Sequence, residues 1–282
     1  MNIGIIGNGF VGSSVAFGFS AQTGCDANVK IYDKDTSKAT HSLTDTLLSD
    51  YIFVSVPTPS NDDGSINLDI VYTLFEEINL QNIRNDNVFL LRSTVTPGTT
   101  RKLQRKFRNL NIVFNPEFLT ERSAKLDFIN QARFILGGRK KDTNKVEKLL
   151  KWRFGETMPV IKTNYETAEM IKYMNNCFFA TKVSFLNEMY QIADACGVDW
   201  DMAVEGFVRD GRVGHSHMNV PGPDGKFGFG GSCFPKDIQA MIHFANSLGV
   251  EPSVLNGAWD KNLDVRPEKD WKKLKGRAVV DE

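Results

Sequence analysis

The sequence contains few of the residues from which metal sites and disulfide frameworks are built. Its 282 residues include four cysteines and four histidines. The cysteines are widely spaced, at Cys25, Cys177, Cys196 and Cys233. His215 and His217 lie close together in sequence, but no cysteine or carboxylate beside them completes a zinc site. We therefore expect no bound metal and a reducing compartment, the cytoplasm.

An excess of charge of either sign is also missing. Lys plus Arg and Asp plus Glu both number 34, which gives a net charge of zero. Such a chain offers no general attraction for nucleic acid or an anionic membrane. No apolar run reaches the length of a membrane span. The apolar stretch Met1–Ser20 lacks the basic residues of a signal peptide, since the first is Lys30. The expected partners are small molecules or another protein chain.

The N-terminal stretch contains glycine at a recurrent spacing. A β-branched run, Ile3–Ile6, is followed by GNGFVG and then by a helical pattern of apolar residues. The glycines of this turn are Gly7, Gly9 and Gly12. A second strand-like run, Asn28–Tyr32, ends at Asp33, at the spacing expected for an acid that binds the adenosine ribose. The pattern predicts a Rossmann-type site, and the charge of Asp33 favours NAD over NADP.

Strand-like and helical stretches alternate through the first half of the chain. Further apolar runs are Tyr51–Val56, Val88–Leu91, Ile112–Phe114 and Phe134–Leu136, with helical patterns at Asn67–Ile78 and Thr99–Phe107. This alternation predicts an α/β fold with a doubly wound parallel sheet. The polar residues that follow the strands include Thr58, Thr94, Glu117 and Glu121. Ligands bind at those ends, so we expect these residues around the nicotinamide half of the cofactor.

A long segment without glycine or proline, Tyr165–Cys196, predicts one long helix that ends before Gly197. Lys172 and Asn176 are four residues apart in it and project from the same face. Its apolar residues cover much of the circumference. This favours a domain joint and a homodimer interface.

The second half of the chain carries the most distinctive cysteine. Helical patterns cover Trp200–Arg212 and about Pro235–Leu248, and before the second of them lies GFGGSCFPKD (228–237). Cys233 therefore stands just before a helix N-terminus and near Lys236, a setting that lowers the pKa of a thiol. The setting predicts a nucleophile rather than a packing residue.

These patterns predict three parts in chain order. Residues 1–162 form an NAD-binding Rossmann domain. Residues 163–265 form the long central helix and a small, mostly helical substrate and dimerisation domain, which carries the catalytic cysteine. Residues 266–282 form a tail.

Seven stretches, in order along nearly the whole chain, resemble the UDP-glucose/GDP-mannose dehydrogenase family. They are GNGFVG (7–12), VPTP (56–59), RSTVTPGTT (92–100), NPEFLTE (115–121), AEMIKYMNN (168–176), FLNEM (185–189) and GFGGSCFPKD (228–237). The resemblance implies an NAD-dependent oxidoreductase that oxidises the C6 primary alcohol of a nucleotide sugar to the carboxylate, as in UDP-glucose to UDP-glucuronate. It also implies two NAD per substrate.

The same resemblance implies catalytic roles. Cys233 would hold the half-oxidised sugar, first as a thiohemiacetal and then as a thioester. Lys172 and Asn176 would stabilise negative charge on the reacting oxygen. Asp237 would take part in proton handling. Glu121 and Thr94 would position water near the nicotinamide, with Glu121 as a base for thioester hydrolysis.

Two sets of binding residues also follow from the resemblance. The cofactor set is Gly7, Gly9, Val11, Gly12, Asp33, Lys38, Thr58, Thr94, Glu121 and Lys236. The substrate set is Glu117, Phe118, Leu119, Lys172, Asn176, Arg212 and Gly230. Within the second set, Arg212 would reach the substrate of a partner subunit, and Gly230 would let the sugar approach closely.

The chain departs from the family pattern in two places. The segment between Asp33 and Tyr51 is compressed. The chain ends at Glu282, where full-length members continue into a second nucleotide-binding-like domain. We therefore expect a short form, with GRAVV (276–280) as a remnant of that domain. The inserted loop Asn219–Lys226 or a partner subunit would then contact the nucleotide.

Other interpretations stay open. A two-electron β-hydroxyacid dehydrogenase of the 6-phosphogluconate or hydroxyisobutyrate type shares the Rossmann domain, the long helix and a Lys followed four residues later by Asn, but not a cysteine before FPKD. A catalytically silent NAD or nucleotide-sugar binding module would not need the full set of reactive residues. Among active enzymes, UDP-glucose is the leading substrate, followed by GDP-mannose and UDP-N-acetylhexosamines.

Overall fold

The computed structural model describes residues 1–81 and 86–281. Within these residues, seven strands form one sheet in the order β2-β1-β3-β4-β5-β6-β7. The strands are β1 (Asn2–Ile6), β2 (Asn28–Tyr32), β3 (Tyr51–Val54), β4 (Val88–Leu91), β5 (Ile112–Phe114), β6 (Phe134–Gly138) and β7 (Val160–Thr163). The helices are α1 (Phe10–Gly18), α2 (Leu43–Leu47), α3 (Asp69–Asn79), α4 (Thr99–Lys106), α5 (Ala124–Ile129), α6 (Lys140–Phe154), α7 (Tyr165–Ala195), α8 (Trp200–Val208), α9 (Phe234–Ser247) and α10 (Ser253–Val265).

The predicted doubly wound α/β sheet is confirmed, with one departure in strand direction. Neighbouring strands from β2 to β5 run parallel. Strands β5 and β6 are antiparallel, and β7 then runs parallel to β6. The sheet is therefore mixed, because the chain turns back after β5 instead of crossing over to a parallel position. Strand β7 lies outside the predicted runs.

The sheet separates two hydrophobic cores. In β3, Ile52 and Val54 belong to one buried cluster, while Tyr51 and Phe53 belong to the other. Successive side chains of a strand point to opposite faces, so both faces of β3 are covered. Strands buried on both faces are continuous apolar runs rather than alternating ones, which explains the YIFV sequence.

The described chain divides into two compact units. One consists of Met1–Thr58 and Leu68–Lys172, and the other of Pro59–Asn67 and Tyr173–Glu282. Helix α7 contributes its first residues to one unit and the remainder to the other. The three functional parts expected from the sequence, with limits after residues 162 and 265, stay a prediction.

The helices that the sequence predicted match its patterns to within a few residues, while α2, α5, α6 and α10 lie outside the predicted patterns. The largest difference is α8, which ends at Val208 rather than at Arg212. The Asp210 carboxylate accepts a hydrogen bond from the Arg212 backbone N–H, which favours a turn over a further helical residue.

The longest predicted helix, α7, spans 31 residues. Among the described residues, no helix has the length and apolar character needed to cross a membrane.

Candidate functional site

The predicted phosphate turn has the geometry that its glycines imply. Gly7 has a φ of +88°, which favours glycine. A Cβ on Gly12 would lie 1.9 Å from the Gly7 carbonyl oxygen, so only glycine lets α1 begin this close to β1. A Cβ on Gly9 would meet nothing within 4 Å. The backbone at Gly9, directly before α1, is thus open to a ligand.

Asp33 anchors this turn from the end of β2. Its carboxylate accepts hydrogen bonds from the backbone N–H of Asn8 at 2.6 Å and of Asp35 at 2.9 Å. The Asn8 side-chain amide donates to the Lys38 carbonyl oxygen at 2.8 Å. The Lys38 ammonium is exposed and pairs with Asp35 at 2.9 Å. Lys38 therefore contacts the turn through its backbone rather than its charge.

The residues around this turn fit a dinucleotide. The first N–H groups of α1 follow Gly9 and supply the positive end of a helix dipole, which suits a pyrophosphate. Asp33 lies beside the turn, where a carboxylate can accept from ribose hydroxyls. Asn8 Oδ1 and Ser55 Oγ are buried here without a hydrogen-bond partner. Val11 lies half-buried on α1 and packs on the core beneath.

Thr58 and Thr94 lie together after β3 and β4, and their predicted place beside the nicotinamide stays a prediction. The Thr58 hydroxyl donates to the Thr94 carbonyl oxygen at 2.9 Å, and both residues are buried. The Ser93 hydroxyl donates to the Val56 carbonyl oxygen at 2.7 Å. The two segments that follow neighbouring strands are therefore tied to each other at the carboxyl edge of the sheet.

Glu117 and Lys172 form a buried ion pair. The Lys172 ammonium donates to Glu117 Oε1 at 2.7 Å and to the Glu117 carbonyl oxygen at 2.6 Å. Glu117 is 4% exposed and Lys172 3%. The Lys172 nitrogen also lies 5.5 Å from the centre of the Phe118 ring. The backbone N–H of Leu119 donates to Glu117 Oε2 at 2.7 Å. The Leu119 side chain packs in the hydrophobic core.

Arg92, at the end of β4, adds a second buried cation that sequence reasoning missed. Its Nη1 donates to Asn115 Oδ1 at 2.6 Å, and its Nε and Nη2 are buried without a partner. Burial lowers the pKa of Arg92 to about 10, against the raising effect of the nearby Glu117 carboxylate. An arginine directly after the apolar run VFLL was the available signal in the sequence.

Glu121, predicted to lie near the nicotinamide, is exposed in the turn before α5.

Glu169 is a further buried carboxylate outside the predicted set. It lies on α7 and accepts from the backbone N–H groups of Gly98 at 2.6 Å and Thr100 at 2.7 Å, at the start of α4. Burial raises the pKa of Glu169 to about 7, although these hydrogen bonds oppose the shift. Glu169 thus fixes the loop that follows Thr94 onto α7.

In the second unit, three predicted residues form a buried network. The Asn176 amide donates to Asp237 Oδ2 at 2.6 Å. The Lys236 ammonium donates to the other carboxylate oxygen of Asp237. Asn176, Lys236 and Asp237 are 5%, 7% and 1% exposed. The network orients the Asp237 carboxylate. It also pairs Lys236 with Asp237, and the contact of Lys236 with the cofactor stays a prediction.

Cys233 occupies the N-cap position of α9, as the sequence predicted. Its thiol is partly exposed, and its carbonyl oxygen accepts from the Asp237 N–H at 2.9 Å. A second cysteine, Cys177, is also near this aspartate, with its sulfur 3.9 Å from the Asp237 carbonyl oxygen. Burial, and secondarily Asp237, raises the pKa of Cys177. Of the two thiols, Cys233 is the one suited to attack.

Two predicted substrate residues have other contacts in this structure. A Cβ on Gly230 would lie 2.4 Å from Arg266 Nη2, so this glycine makes room for a side chain of its own unit. Arg212 is exposed and pairs with Asp210 at 2.5 Å. Its predicted role toward a partner subunit stays a prediction.

The inserted loop is closed by ion pairs within its unit. Asp224 pairs with Arg266 at 2.6 Å, and Lys226 pairs with Glu268 at 3.1 Å.

Across residues 1–81 and 86–281, no group of three or more His, Cys, Asp or Glu side chains is placed to hold a metal ion.

Comparisons with known proteins match both units. Residues 39–154 match the NAD binding domain of the UDP-glucose/GDP-mannose dehydrogenase family, and residues 166–264 match the central domain of that family. The match to the NAD binding domain confirms NAD as the cofactor at the level of the family.

Individual relatives agree with the family models. UDP-glucose 6-dehydrogenase AglM of Haloferax volcanii is 33% identical over 100% of this chain and 74% of its own length. The UDP-glucose 6-dehydrogenase of Rickettsia prowazekii is 30% identical over 93% of this chain and 67% of its own. The solved UDP-glucose dehydrogenase of Pyrobaculum islandicum superposes with a TM-score of 0.78, at 27% identity over 93% of this chain and 67% of its own. The chain therefore belongs to the UDP-glucose/GDP-mannose dehydrogenase family.

Proposed function

We propose that this chain oxidises the C6 primary alcohol of a nucleotide sugar to the carboxylate, with UDP-glucose as substrate and UDP-glucuronate as product. The observation that carries the proposal is the position of Cys233: a partly exposed thiol at the start of α9, one helical turn before a buried aspartate. Family membership supports the reaction class. The names of the relatives support the choice of UDP-glucose.

NAD held at the glycine turn would supply the oxidant, one NAD for each of the two successive hydride removals. Cys233 retains the carbon between them. Its thiolate adds to the aldehyde carbon and forms a C–S bond, so that the half-oxidised sugar stays on the protein. After the second oxidation the same sulfur is the leaving group of a thioester. Water attacks the carbonyl carbon, the C–S bond breaks, and the thiolate is restored.

The surrounding residues are proposed to manage charge and protons. Lys172 carries an ammonium that stabilises negative charge on the reacting oxygen, and Glu117 holds it in place. Asn176 orients Asp237, which exchanges a proton with the reacting groups. Glu121 with Thr94 would position the water that opens the thioester.

The test is the stoichiometry of the purified chain with NAD and several nucleotide sugars. The proposal expects two NADH per carboxylate formed, with UDP-glucose the preferred substrate. One NADH per substrate would favour the β-hydroxyacid dehydrogenase, and NAD binding without turnover on any sugar would favour a silent binding module. Cys233→Ser should abolish net oxidation and leave NAD affinity nearly unchanged. Equal loss of both would instead assign the cysteine to folding.

A homodimer through α7 belongs to the same proposal. Large apolar side chains are exposed along one face of this helix: Met174, Phe178, Phe185, Met189 and Ile192. Such a face favours burial against a second copy. Phe178→Lys should convert a dimer to a monomer in analytical ultracentrifugation, whereas Leu80→Lys, at an exposed leucine elsewhere, should not. A monomeric parent chain would contradict this part of the proposal.

A further inference from the structure

Three buried side chains hold the backbone of the loop that leads to Cys233. Asn187 on α7 accepts from the Gly228 N–H at 2.9 Å. Asn262 on α10 accepts from the Phe229 N–H at 2.7 Å and donates to the Phe229 carbonyl oxygen at 3.0 Å. Arg266, just after α10, donates to the Phe227 carbonyl oxygen at 3.2 Å. We call these three side chains the loop clamp.

The members of the loop clamp are almost completely removed from solvent. Asn187, Asn262 and Arg266 are 2%, 0% and 1% exposed. A buried polar side chain is costly unless its hydrogen bonds are made. Asn262 meets this condition by bonding both the N–H and the C=O of one residue, as a neighbouring β-strand would. The loop thus has a defined conformation although it lies outside the sheet.

The glycines of the loop match the clamp. Gly228 has a φ of +66°, and a Cβ there would lie 2.4 Å from Asn262 Oδ1. A Cβ on Gly230 would lie 2.4 Å from Arg266 Nη2. Arg266 is itself fixed by ion pairs with Asp224 at 2.6 Å and Asp270 at 2.7 Å. Loop and clamp therefore fit each other at two successive glycine positions.

Packing transmits the position of this loop to the nucleophile. The Phe229 ring lies 6.1 Å from the ring of Phe234, edge to face, and 6.2 Å from that of Trp259 on α10. Phe234 is the first residue of α9, and Cys233 is its N-cap. A shift of Phe229 would therefore move the start of α9 and with it the sulfur of Cys233.

We propose that Asn262, with Asn187 and Arg266, is the positioning device that holds the Cys233 thiol where it captures the half-oxidised sugar. The inference rests on the proposed function for its chemistry and on the hydrogen bonds of the loop for its geometry. Because a misplacement of about 1 Å costs roughly a hundredfold in rate, a displaced thiolate captures the aldehyde poorly. The aldehyde then escapes before the second oxidation.

The test replaces Asn262 by an isosteric residue. Asn262→Asp keeps an acceptor for the Phe229 N–H but places a second acceptor against its carbonyl oxygen. Asn256→Asp is the matched control, since the side chain of this asparagine of α10 donates to Glu251 and not to the loop among the contacts described. In a Cys196→Ser background, which removes the exposed thiol, iodoacetamide labelling of Cys233 is timed by peptide mass spectrometry. Free aldehyde, carboxylate, NADH and NAD affinity are measured in parallel.

We expect Asn262→Asp to change the Cys233 labelling rate at least severalfold and to lower carboxylate formation roughly 10- to 100-fold. Free aldehyde should accumulate, so that NADH per carboxylate rises above two. NAD affinity should stay within about twofold, and Asn256→Asp should match the parent in every respect. If Asn262→Asp does not fold, Arg266→Lys carries the same test, because lysine keeps the charge but loses the fork that reaches Phe227.

Two results would overturn the inference. One is a folded Asn262→Asp variant with the labelling rate of the parent and a strict ratio of two NADH per carboxylate, even with a lowered melting temperature. The other is an equal loss of NAD affinity and turnover. Failure of the proposed function looks different: the parent chain then makes no carboxylate from any nucleotide sugar, while the labelling rates still report on the loop clamp.

Discussion

Two glycine-rich turns lead into helices in this chain, and different contacts hold them in shape. In the turn before α1, backbone meets backbone: a Cβ on Gly12 would lie 1.9 Å from the Gly7 oxygen. In the turn before α9, backbone meets side chains: a Cβ on Gly228 would lie 2.4 Å from Asn262 Oδ1. The first turn is therefore specified by a few adjacent residues, whereas the second depends on residues far away in sequence.

The largest effect is expected from Gly12→Ala in the first turn. Because the added carbon meets a backbone oxygen, either α1 or β1 has to shift, at a cost of about 3 kcal/mol. We expect a lower melting temperature and the loss of NAD binding, measured by calorimetry.

Gly9→Ala is the matched control in the same turn. Gly9 is extended, with φ −75°, and a Cβ there meets nothing within 4 Å. The variant should keep the melting temperature of the parent and still bind NAD about tenfold more weakly, since the added methyl lies where the pyrophosphate approaches. Unchanged NAD affinity would contradict the proposed binding site.

Gly228→Ala should have the next largest effect and a different signature. The left-handed conformation costs alanine about 1–2 kcal/mol, and the new carbon also displaces Asn262. Gly225→Ala is the matched control, because Gly225 has a φ of +76° with nothing within 4 Å. We expect only Gly228→Ala to lose oxidation activity, with NAD affinity kept in both. An equal loss of activity in both variants would show that strain, not the contact with Asn262, matters, and full activity in both would contradict a role for either.

An effect of another kind, on the pH dependence of stability, distinguishes the first unit from the second. Glu169 has a pKa of about 7 in the fold against an ordinary 4.5, so the folded state holds a proton that the unfolded chain releases. Stability from this group therefore falls as pH rises from about 4.5 to 7, by about 3 kcal/mol. The amides of the loop clamp do not titrate. Melting temperatures of Glu169→Gln should show a flatter pH profile in that window.

Glu166→Gln provides the control for this profile. The ion pair with Arg101 lowers the pKa of Glu166, so its contribution is lost only as pH falls below the ordinary range of a glutamate. The variant should leave the slope between pH 5 and 7 as in the parent. A slope unchanged by Glu169→Gln would show that the buried carboxylate is not the group that titrates.

The smallest effect is expected from Lys38→Ala. The first turn uses the Lys38 carbonyl oxygen, and the exposed ammonium pairs only with Asp35 among the contacts described. Exposed pairs contribute little, so NAD affinity should change less than about threefold. A tenfold loss in a titration would show instead that the side chain reaches the cofactor.

Much of the fold could be predicted from the sequence because buried strands are continuous apolar runs. The bounds of β2, β4 and β5 agree with the predicted runs residue for residue. Strand β7, VIKT, was missed because it is a short edge strand whose central residues, Ile161 and Lys162, are exposed. The direction of β6 was missed because an apolar run does not encode whether its strand pairs parallel or antiparallel.

The site could be predicted only where its chemistry is local. The first glycine turn and the helix after Cys233 have signatures within a few residues. The partners Glu117 and Lys172 are 55 residues apart, and Phe229 and Asn262 are 33 apart. One sequence does not reveal pairings at such distances. Arg92 and Asn262 were therefore overlooked, although both are more than 98% buried.

The reversal between β5 and β6 determines where α7 can deliver a side chain. Because β6 and β7 run against the other strands, the chain leaves β7 at Thr163, level with Phe114, and heads toward the start of β5, where the Tyr165 hydroxyl donates to the Ile112 carbonyl oxygen at 3.1 Å. The first two turns of α7 then travel along β5 and reach Glu117 just past its end. With β6 and β7 parallel to the rest, the helix would start at the carboxyl edge and lead Lys172 away from it. A single change of strand direction thus turns α7 so that it carries an ammonium group back to the carboxyl edge of the sheet.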